Sequence, residues 1–398
     1  MRRCFVIFVL TVAFCSLCVL YYVTPRTVSN LAIYTFTDDA DRKTILYWNT
    51  FFNEEDFYLG MGYVARDCPI YNNCFATHNR FLRSVEDFDA IVFHGINGEL
   101  STKDLPDRRR PSQKYVFVAL ESPVNRYIGP EFDGYFNVTA TYHFDSDIVW
   151  TYANIVDRDN ESLVAVPSAK EYFEWKVDES MSAENEGDED RIIKGKKDLA
   201  IWYRSNCNTR GRREAYVAEL EKHMPVASYG SCSSANPGCR RDQDCFKSEV
   251  EPRYFFYLSF ENSLCEDYIT EKFFNALNHS VVPVVYGGAN YSRFAPPNSY
   301  INALDFDSPQ ELAKYLILLS KDVRAYKKYF HWKRHYRIIS PKQRVICDLC
   351  QVINTGQKKI YAMSKWYSEN KRCTVQKQLD DQISRGGLNY ATKKTVSP

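Results

Sequence analysis

The stretch that decides the fold of this chain is Tyr254–Gly288, YFFYLSFENSLCEDYITEKFFNALNHSVVPVVYGG. It predicts an apolar strand at Tyr254–Phe260, a polar turn at Glu261–Asp267, then a helix, and a second apolar strand at Val281–Tyr286. A strand, a crossover helix and a second strand make a parallel βαβ unit, and all-apolar strands are typical of a sheet covered on both faces. Ligands of such sheets bind beyond the carboxyl ends of the strands, which is where the polar turn would lie.

Three polar side chains mark the predicted helix of this unit. Tyr268, Glu271 and Lys272 are spaced i, i+3 and i+4, which places them on one helix face near the N-terminus. A phenol, a carboxylate and an ammonium beside the positive end of a helix suit a sugar diphosphate. The plainer interpretation is a solvated Glu–Lys pair with a tyrosine that covers the core.

The N-terminus carries an uncharged apolar run, Cys4–Val23, which is just long enough to span a bilayer as a helix. Arg2 and Arg3 precede it and favour a cytoplasmic N-terminus. We therefore predict a cytoplasmic tail at residues 1–3, a transmembrane signal-anchor at residues 4–23 and a stem at residues 24–42. A cleaved signal peptide is the alternative.

The chain has 13 cysteines, of which ten follow the apolar run and favour an oxidising compartment with disulfides. Beyond the apolar run, Cys347 and Cys350 form the only C-x-x-C pair, and because no second pair there completes a zinc site we interpret it as disulfide-forming. Cys68 and Cys74 are expected to pair with each other or with the distant C-x-x-C. The chain also carries four N-glycosylation sequons, at Asn137, Asn160, Asn278 and Asn290.

At 398 residues the chain is long enough for two domains, and its net charge of +1 does not suggest a nucleic-acid partner. We predict an N-terminal α/β domain at residues 43–177, an acidic linker at 178–197, a C-terminal α/β domain at 198–373 and a polar tail at 374–398. The linker prediction rests on the acidic run DESMSAENEGDEDR, which is typical of a mobile connector. The further predicted elements are strands at 43–52, 88–94, 114–120, 198–203 and 226–230, and a helix at 214–223.

A carboxylate lies at the end of one of these strands. The apolar strand Lys114–Leu120 is followed directly by Glu121, Ser122 and Pro123. Because α/β enzymes place reactive groups at such strand ends, Glu121 is a candidate catalytic residue, although a solvated loop glutamate would look the same. The D-x-D pattern at Asp145 and Asp147 recurs elsewhere in the chain and does not predict a metal site.

The run FYLSFENS followed by DYITEK resembles the donor-binding signature of the α1,3-fucosyltransferases, glycosyltransferase family ten. Glu121-Ser-Pro resembles the family's E-S-P, and Ser205-Asn206 resembles its S-N-x-N. The segment Phe136–Ile148 is also similar, except that His143 and Phe144 stand where the family has two basic residues. The segment FDSPQELAKYL resembles a further family run, in which Asp307 or Ser308 would cap a helix.

This resemblance implies an α/β fold of the GT-B type, in which two Rossmann-like domains face a cleft. It implies inverting transfer of L-fucose from GDP-β-L-fucose to the 3-hydroxyl of N-acetylglucosamine on a glycoprotein or glycolipid, with Glu121 as the base. It implies a single-pass type II Golgi membrane protein with a luminal catalytic domain and no obligatory metal, stimulation by a divalent metal being left open. The implied donor-binding residues are Ser205, Asn206, Arg213, Tyr257, Asn262, Tyr268, Glu271 and Lys272, with Tyr152 as a further donor or acceptor contact.

Several alternatives remain at this stage. Arg212 is the second choice for the arginine that contacts the pyrophosphate. A membrane-anchored glycan-binding protein of the same fold would need a gap in the catalytic set, and the sequence shows none. A transferase with another nucleotide-sugar donor is the other alternative. The sequence leaves the identity of the acceptor open among three glycans: the chitobiose core of N-glycans, LacdiNAc and a Lewis-type antenna.

The apolar run Cys4–Val23 leads to a testable prediction. If it is an uncleaved anchor, carbonate washing leaves the expressed protein in the membrane, and endoglycosidase treatment lowers its apparent mass. Release by carbonate together with loss of the N-terminal segment would show a cleaved signal peptide instead.

Overall fold

The computed structural model describes residues 41–96, 98–162, 174–176, 188–233, 244–356, 359–369 and 373. The predicted cytoplasmic tail, the signal-anchor, nearly all of the stem and the polar tail from residue 374 lie outside these ranges. None of the helices within them has the length and apolar character that a bilayer-spanning segment needs. The described residues from Lys43 onward belong to one compact unit, which holds two parallel sheets.

The first sheet has seven strands in the order β2-β3-β1-β4-β5-β6-β7, and all neighbours are parallel except β2 and β3. Side chains of β4 and β5 are buried along their whole length, as expected for central strands covered on both faces. The strands predicted around residues 43–52, 88–94 and 114–120 are confirmed as β1, β4 and β5. The strands are β1 (Lys43–Tyr47), β2 (Gly62–Tyr63), β3 (Cys74–Thr77), β4 (Ala90–His94), β5 (Lys114–Ala119), β6 (Val138–Thr141) and β7 (Ile148–Val149), and β8 (Asn154–Asp157) follows outside the sheet.

The second sheet has five parallel strands in the order β10-β9-β11-β12-β13. The predicted βαβ unit is confirmed, since β11 and β12 pair in parallel on either side of a crossover helix. The strands are β9 (Asp198–Tyr203), β10 (Val226–Tyr229), β11 (Tyr254–Phe260), β12 (Val282–Tyr286) and β13 (Ile301–Asn302).

Six α-helices occur in the described residues: α1 (Asp188–Gly195), α2 (Arg213–Leu220), α3 (Glu271–Asn278), α4 (Pro309–Lys321), α5 (Val323–Lys327) and α6 (Lys342–Thr355). Helix α4 begins as the sequence predicted, because Ser308 accepts a hydrogen bond from Glu311 N and Pro309 occupies the first turn. The predicted helix at 214–223 is confirmed as α2.

The predicted start of the crossover helix is wrong. Helix α3 begins at Glu271, and Thr270 before it has an extended backbone with φ −109°. Asp267 adopts a left-handed φ of +61°, which turns the chain ahead of the helix. Tyr268 is therefore not on a helix face with Glu271 and Lys272, and its side chain leaves the chain in a different direction.

Part of the predicted acidic linker, 178–197, is folded. Residues 178–187 lie outside the described ranges, but residues 188–195 form α1. Ile193 on this helix is 1% exposed and belongs to the apolar core of the second sheet. Lys196 Nζ donates to Tyr254 O at 2.8 Å, so this end of the segment is anchored to β11. The acidic composition of the segment gave no sign of this buried isoleucine, which packs the helix against the second sheet.

The chain crosses back to the first sheet near its C-terminal end. Val345 and Leu349 of α6 lie in the apolar core under the first sheet, and Met363 and Tyr367 lie in the core on its other face. A strand before this crossing, β14 (Tyr336–Ile339), pairs antiparallel with β8. The predicted C-terminal domain, 198–373, therefore ends too late, because its last part packs with the N-terminal half.

Disulfides hold this crossing in place. Cys68 is bonded to Cys347 and Cys74 to Cys350. Of the two predicted alternatives, pairing with the distant C-x-x-C is therefore confirmed, and Cys68 and Cys74 do not pair with each other. Both sulfurs on α6 are thereby tied to the segment that leads into β3. Two further bridges join Cys207 to Cys232 and Cys265 to Cys373, and all nine cysteines in the described residues are disulfide-bonded.

The pairing of α6 with the first sheet can be tested by non-reducing proteolysis and mass spectrometry. We expect one peptide that carries Cys347 and Cys350 to be linked to peptides containing Cys68 and Cys74. Native protein should resist thiol labelling at all four positions, since such bridges typically stabilise a fold by about 2–4 kcal/mol each. A Cys347–Cys350 bridge within α6, or stoichiometric labelling of these residues, would contradict the structure.

Candidate active site

The carboxyl ends of the two sheets meet at a pair of turns. Strand β5 leads into Glu121 and Ser122, and β11 leads into Glu261 and Ser263. Ser122 Oγ donates to Ser263 Oγ at 2.7 Å, and both residues are at most 1% exposed. A buried hydroxyl pair of this kind needs both partners, because either one alone would lose its hydrogen bond. The two turns are thus fixed against each other.

Glu121 is held by three tyrosines from separate parts of the chain. Tyr268 OH donates to Glu121 Oε2 at 3.2 Å, and Tyr367 OH donates to the backbone oxygen of Glu121. Tyr152 OH donates to the neighbouring Leu120 O at 2.9 Å. Burial, and then the nearby Glu121, raise the pKa of Tyr268 well above its usual value, so this phenol keeps the proton that it donates. The carboxylate itself is half-buried and can still be reached from solvent.

Tyr268 therefore occupies a different place from the one predicted. The sequence put it on the donor-binding face of α3, and the structure puts its hydroxyl on the carboxylate of Glu121. The extended Thr270 ahead of α3 is the physical reason, since it removes Tyr268 from the helical spacing. Tyr268 connects the turn after β11, which we call the donor-side turn, to Glu121, the proposed base.

A lysine and two carboxylates form a second cluster at the start of α3. Lys272 Nζ lies 2.7 Å from Thr270 Oγ1, 3.1 Å from Glu271 Oε1 and 3.4 Å from Glu261 Oε2. Burial alone would lower the pKa of Lys272, but Glu261 and Glu271 outweigh it and raise the pKa. Lys272 is therefore a fixed cation at the N-terminal end of a helix, where backbone N–H groups also favour an anion.

Glu261 is a site residue that the sequence analysis missed. Its side chain is fully buried, and it accepts hydrogen bonds from Thr270 N at 2.8 Å and from the Thr270 hydroxyl at 3.0 Å. Burial raises the pKa of Glu261, and the charge of Lys272 opposes that rise. Its position offered a signal, because Glu261 follows β11 directly and Glu121 follows β5 after a single residue.

Arg213 connects the turn after β9 to the end of β11. It is the first residue of α2 and is 2% exposed. Its Nη1 donates to Phe260 O at 2.8 Å and its Nη2 to Asn206 O at 3.2 Å. Nearby, a Cβ on Gly211 would lie 3.0 Å from Asn262 O, so the two turns approach too closely for a larger residue. Arg213 thus has a structural role besides any contact with a donor.

The other predicted donor residues lie around the same two turns. Ser205 and Asn206 are exposed in the turn after β9, and Asn262 is half-buried after β11, where its Oδ1 accepts from Ser263 Oγ at 3.2 Å. Tyr257 is 3% exposed within β11. Burial, and after it the charge of Glu271, raise the pKa of Tyr257.

Two sequence features have structural roles away from this cluster. The carboxylate of Asp147 accepts from Lys359 Nζ at 2.6 Å and from Tyr361 OH at 2.7 Å, and the described residues contain no group of three or more His, Cys, Asp or Glu side chains placed to hold a metal. Phe144, which stands where a basic residue was expected, packs against Phe294 at 5.0 Å between ring centroids. It therefore helps to join the two halves of the chain.

The four sequons differ in their surroundings. Asn137 Oδ1 accepts from Tyr115 N at 2.8 Å, so its side chain is built into the edge of β5. Asn160, Asn278 and Asn290 are exposed. These three are the better candidates for a glycan.

Comparison with known proteins agrees with this arrangement. The family model described as "Glycosyltransferase family 10 (fucosyltransferase) C-term" matches residues 193–369, and that described as "Fucosyltransferase, N-terminal" matches residues 40–153. The chain belongs to glycosyltransferase family 10. Both turns of the site lie within the matched residues of this fucosyltransferase.

Two curated relatives show how far the similarity extends. Alpha-(1,3)-fucosyltransferase C of Drosophila melanogaster is 38% identical over 316 residues, which cover 77% of this chain and 72% of the relative. The human 4-galactosyl-N-acetylglucosaminide 3-alpha-L-fucosyltransferase 9 is 30% identical over 343 residues, 84% of each chain. A crystal structure of an alpha1,3-fucosyltransferase with GDP-fucose aligns with a TM-score of 0.47 and 18% identity, over 80% of this chain and 92% of that one.

The lysine cluster of this fucosyltransferase leads to a prediction. Lys272→Ala should raise the Michaelis constant for GDP-fucose, lower turnover, or do both, by roughly 10- to 150-fold in kcat/KM, as expected for a charge-assisted contact worth about 1.5–3 kcal/mol. It should also lower the Tm, because Glu261 would stay buried without its cation. The matched control is Lys272→Ala combined with Glu261→Gln, which should recover the Tm without recovering donor use. Recovery of both would show that Lys272 acts only on stability.

Proposed function

We propose that this fucosyltransferase transfers L-fucose from GDP-β-L-fucose to the 3-hydroxyl of an N-acetylglucosamine residue, with inversion at the anomeric carbon. The observation that carries the proposal is the direct contact of Glu121, at the end of β5, with Tyr268 of the donor-side turn. A carboxylate at the end of one sheet is thereby held against the turn of the other sheet that leads into α3, the helix that carries Lys272. The activities in the names of two curated relatives, α1,3-fucosyl transfer among them, support this choice.

The donor would lie at the carboxyl ends of β9 and β11. The strand order β10-β9-β11 reverses direction at β9, and ligands of parallel sheets bind at such a switch point. Arg213 is the first residue of α2, the helix after β9. Lys272 lies in the first turn of α3, the helix after β11. Lys272 and the more deeply buried Arg213 would both supply positive charge to a diphosphate at this edge, so we propose a transfer that needs no obligatory metal and leave stimulation by a divalent metal to measurement.

In the reaction, the acceptor oxygen attacks the anomeric carbon of fucose from the face opposite the diphosphate. The Glu121 carboxylate takes the proton of the acceptor hydroxyl as the new carbon–oxygen bond forms. The bond between the anomeric carbon and the phosphate oxygen breaks, and its electron pair stays on GDP. Lys272 stabilises the charge that grows on that oxygen, with Arg213 close behind it.

We also propose a cellular setting. Disulfide bonding of every described cysteine fits the oxidising lumen of the secretory pathway. Together with the apolar run Cys4–Val23, this supports a single-pass type II Golgi membrane protein whose catalytic part is luminal.

Replacement of the proposed base gives the sharpest test of the mechanism. Glu121→Gln can still accept the hydrogen bond from Tyr268 but cannot take a proton, so turnover should fall by about 10²–10⁴-fold. GDP affinity measured by calorimetry should change little, because the donor residues lie on the other sheet. Lower turnover at unchanged GDP affinity would show that the substitution removes an interaction made only in the transition state.

The control for this experiment is Glu99→Gln, a change at an exposed glutamate that should leave turnover near the wild-type value. A lost general base should cost at least about 100-fold in turnover. If Glu121→Gln keeps more than about a tenth of wild-type turnover, another group accepts the proton and the proposed role of Glu121 is wrong. Transfer to a glycan array with GDP-fucose, and with GDP-mannose as a competing donor, identifies the acceptor and the sugar.

A further inference from the structure

A second concave surface lies at the same edge of the first sheet as Glu121. A cavity of about 370 Å³ opens there, lined by Tyr47–Thr50, Glu55 and His78–Phe81. The lining follows the carboxyl ends of β1 and β3, and only β4 separates β1 from β5. At a strand spacing of about 4.8 Å, the cavity begins about 10 Å from the strand that carries Glu121. We call it the side cavity.

The floor of the side cavity is held rigidly. Trp48 Nε1 donates to Asp104 O at 2.7 Å, and the Arg80 guanidinium lies 3.6 Å over the indole ring while it pairs with Asp104 at 3.1 Å. Asn49 Nδ2 donates to His94 O at 3.0 Å, which ties the end of β1 to β4. Because these groups are already fixed, a ligand would meet a preformed surface.

One aromatic ring of the cavity lining is exposed, and two more are exposed on a loop that contributes to the lining. Phe81 is 97% exposed, and Phe52 and Tyr58, on the loop that supplies Glu55, are 42% and 50% exposed. Phe52 and Tyr58 also have left-handed backbones, with φ of 49° and 57°, a conformation that bulky residues rarely adopt. Strain of this kind persists where the surrounding structure imposes it, and it is concentrated at ligand-binding sites.

The cavity lining also contains a polar pair. Glu55 Oε2 is 3.3 Å from His78 Nε2, and both side chains are open to solvent. Planar polar side chains beside exposed aromatic rings match a sugar ring, which has hydroxyls at its edge and apolar C–H groups on its face. A lipid chain or an apolar helix would instead require a continuous apolar surface.

We propose that the side cavity binds a sugar residue of the acceptor glycan other than the N-acetylglucosamine that receives fucose, with Phe81 packed against its face. This inference rests on the proposed function, since the acceptor hydroxyl must reach Glu121. The short distance along one sheet edge lets a single branched glycan occupy both places. The side cavity then selects among glycans that carry the same reacting sugar.

The test compares two acceptors in wild type and Phe81→Ala. The minimal acceptor is methyl N-acetyl-β-glucosaminide, and the extended acceptor is a galactosylated biantennary N-glycan on a single asparagine. Phe81→Ala should lower kcat/KM for the extended acceptor about tenfold, mainly through KM, as truncation of an aromatic contact commonly does. It should leave the minimal acceptor and GDP affinity unchanged. Ile70→Ala, at another exposed apolar residue outside the cavity lining, is the matched control and should change nothing.

Three outcomes would overturn the inference: equal loss with both acceptors, no loss with either, or a loss seen only when the glycan carries a longer peptide. The last would show that the side cavity binds the polypeptide of the acceptor. Saturation-transfer NMR of the N-glycan against wild type and Phe81→Ala needs no turnover and separates this inference from the proposed function. If wild type transfers no fucose, the catalytic proposal fails, and the inference still stands or falls on loss of the N-glycan signal in Phe81→Ala.

Discussion

The contact between Tyr268 and Glu121 is the interaction on which the site depends, because it joins the two sheets at the reacting group. A phenol that keeps its proton donates to a half-buried carboxylate, so the proposed base is oriented by a neutral partner. The buried Ser122–Ser263 hydrogen bond lies beside it and fixes the same two turns. Together the two contacts set the position of one turn against the other.

Two glutamates at equivalent strand ends have different surroundings, and this divides their roles. Glu121 accepts a hydrogen bond from a neutral phenol and is half-buried, which suits its proposed role as the base. Glu261 is fully buried and receives an ammonium and a backbone N–H, so its charge is already matched. A buried ion pair of this kind contributes little net stability. Its place beside the proposed diphosphate site indicates that Glu261 positions Lys272.

The C-terminal part of the chain stabilises the site from behind the first sheet. The bridges from Cys68 and Cys74 hold α6 in place, and the following segment brings Tyr367 to the backbone oxygen of Glu121. The strand end that carries Glu121, the proposed base, is therefore fixed by Tyr367, which lies 246 positions later in the sequence. Such support from a second layer of contacts is what keeps a reactive group within the narrow geometry that catalysis needs.

The sequence by itself determined the parallel strands, the βαβ unit, the family and the position of Glu121 at a strand end, because apolar runs and strand-to-turn boundaries are local features. It did not determine where Tyr268 points, since that depends on Thr270 being held extended by Glu261. It also missed the burial of Glu261, the folding of residues 188–195 and the return of α6 to the first sheet. Each of these is decided by a partner distant in sequence, and only the tertiary structure brings such partners together.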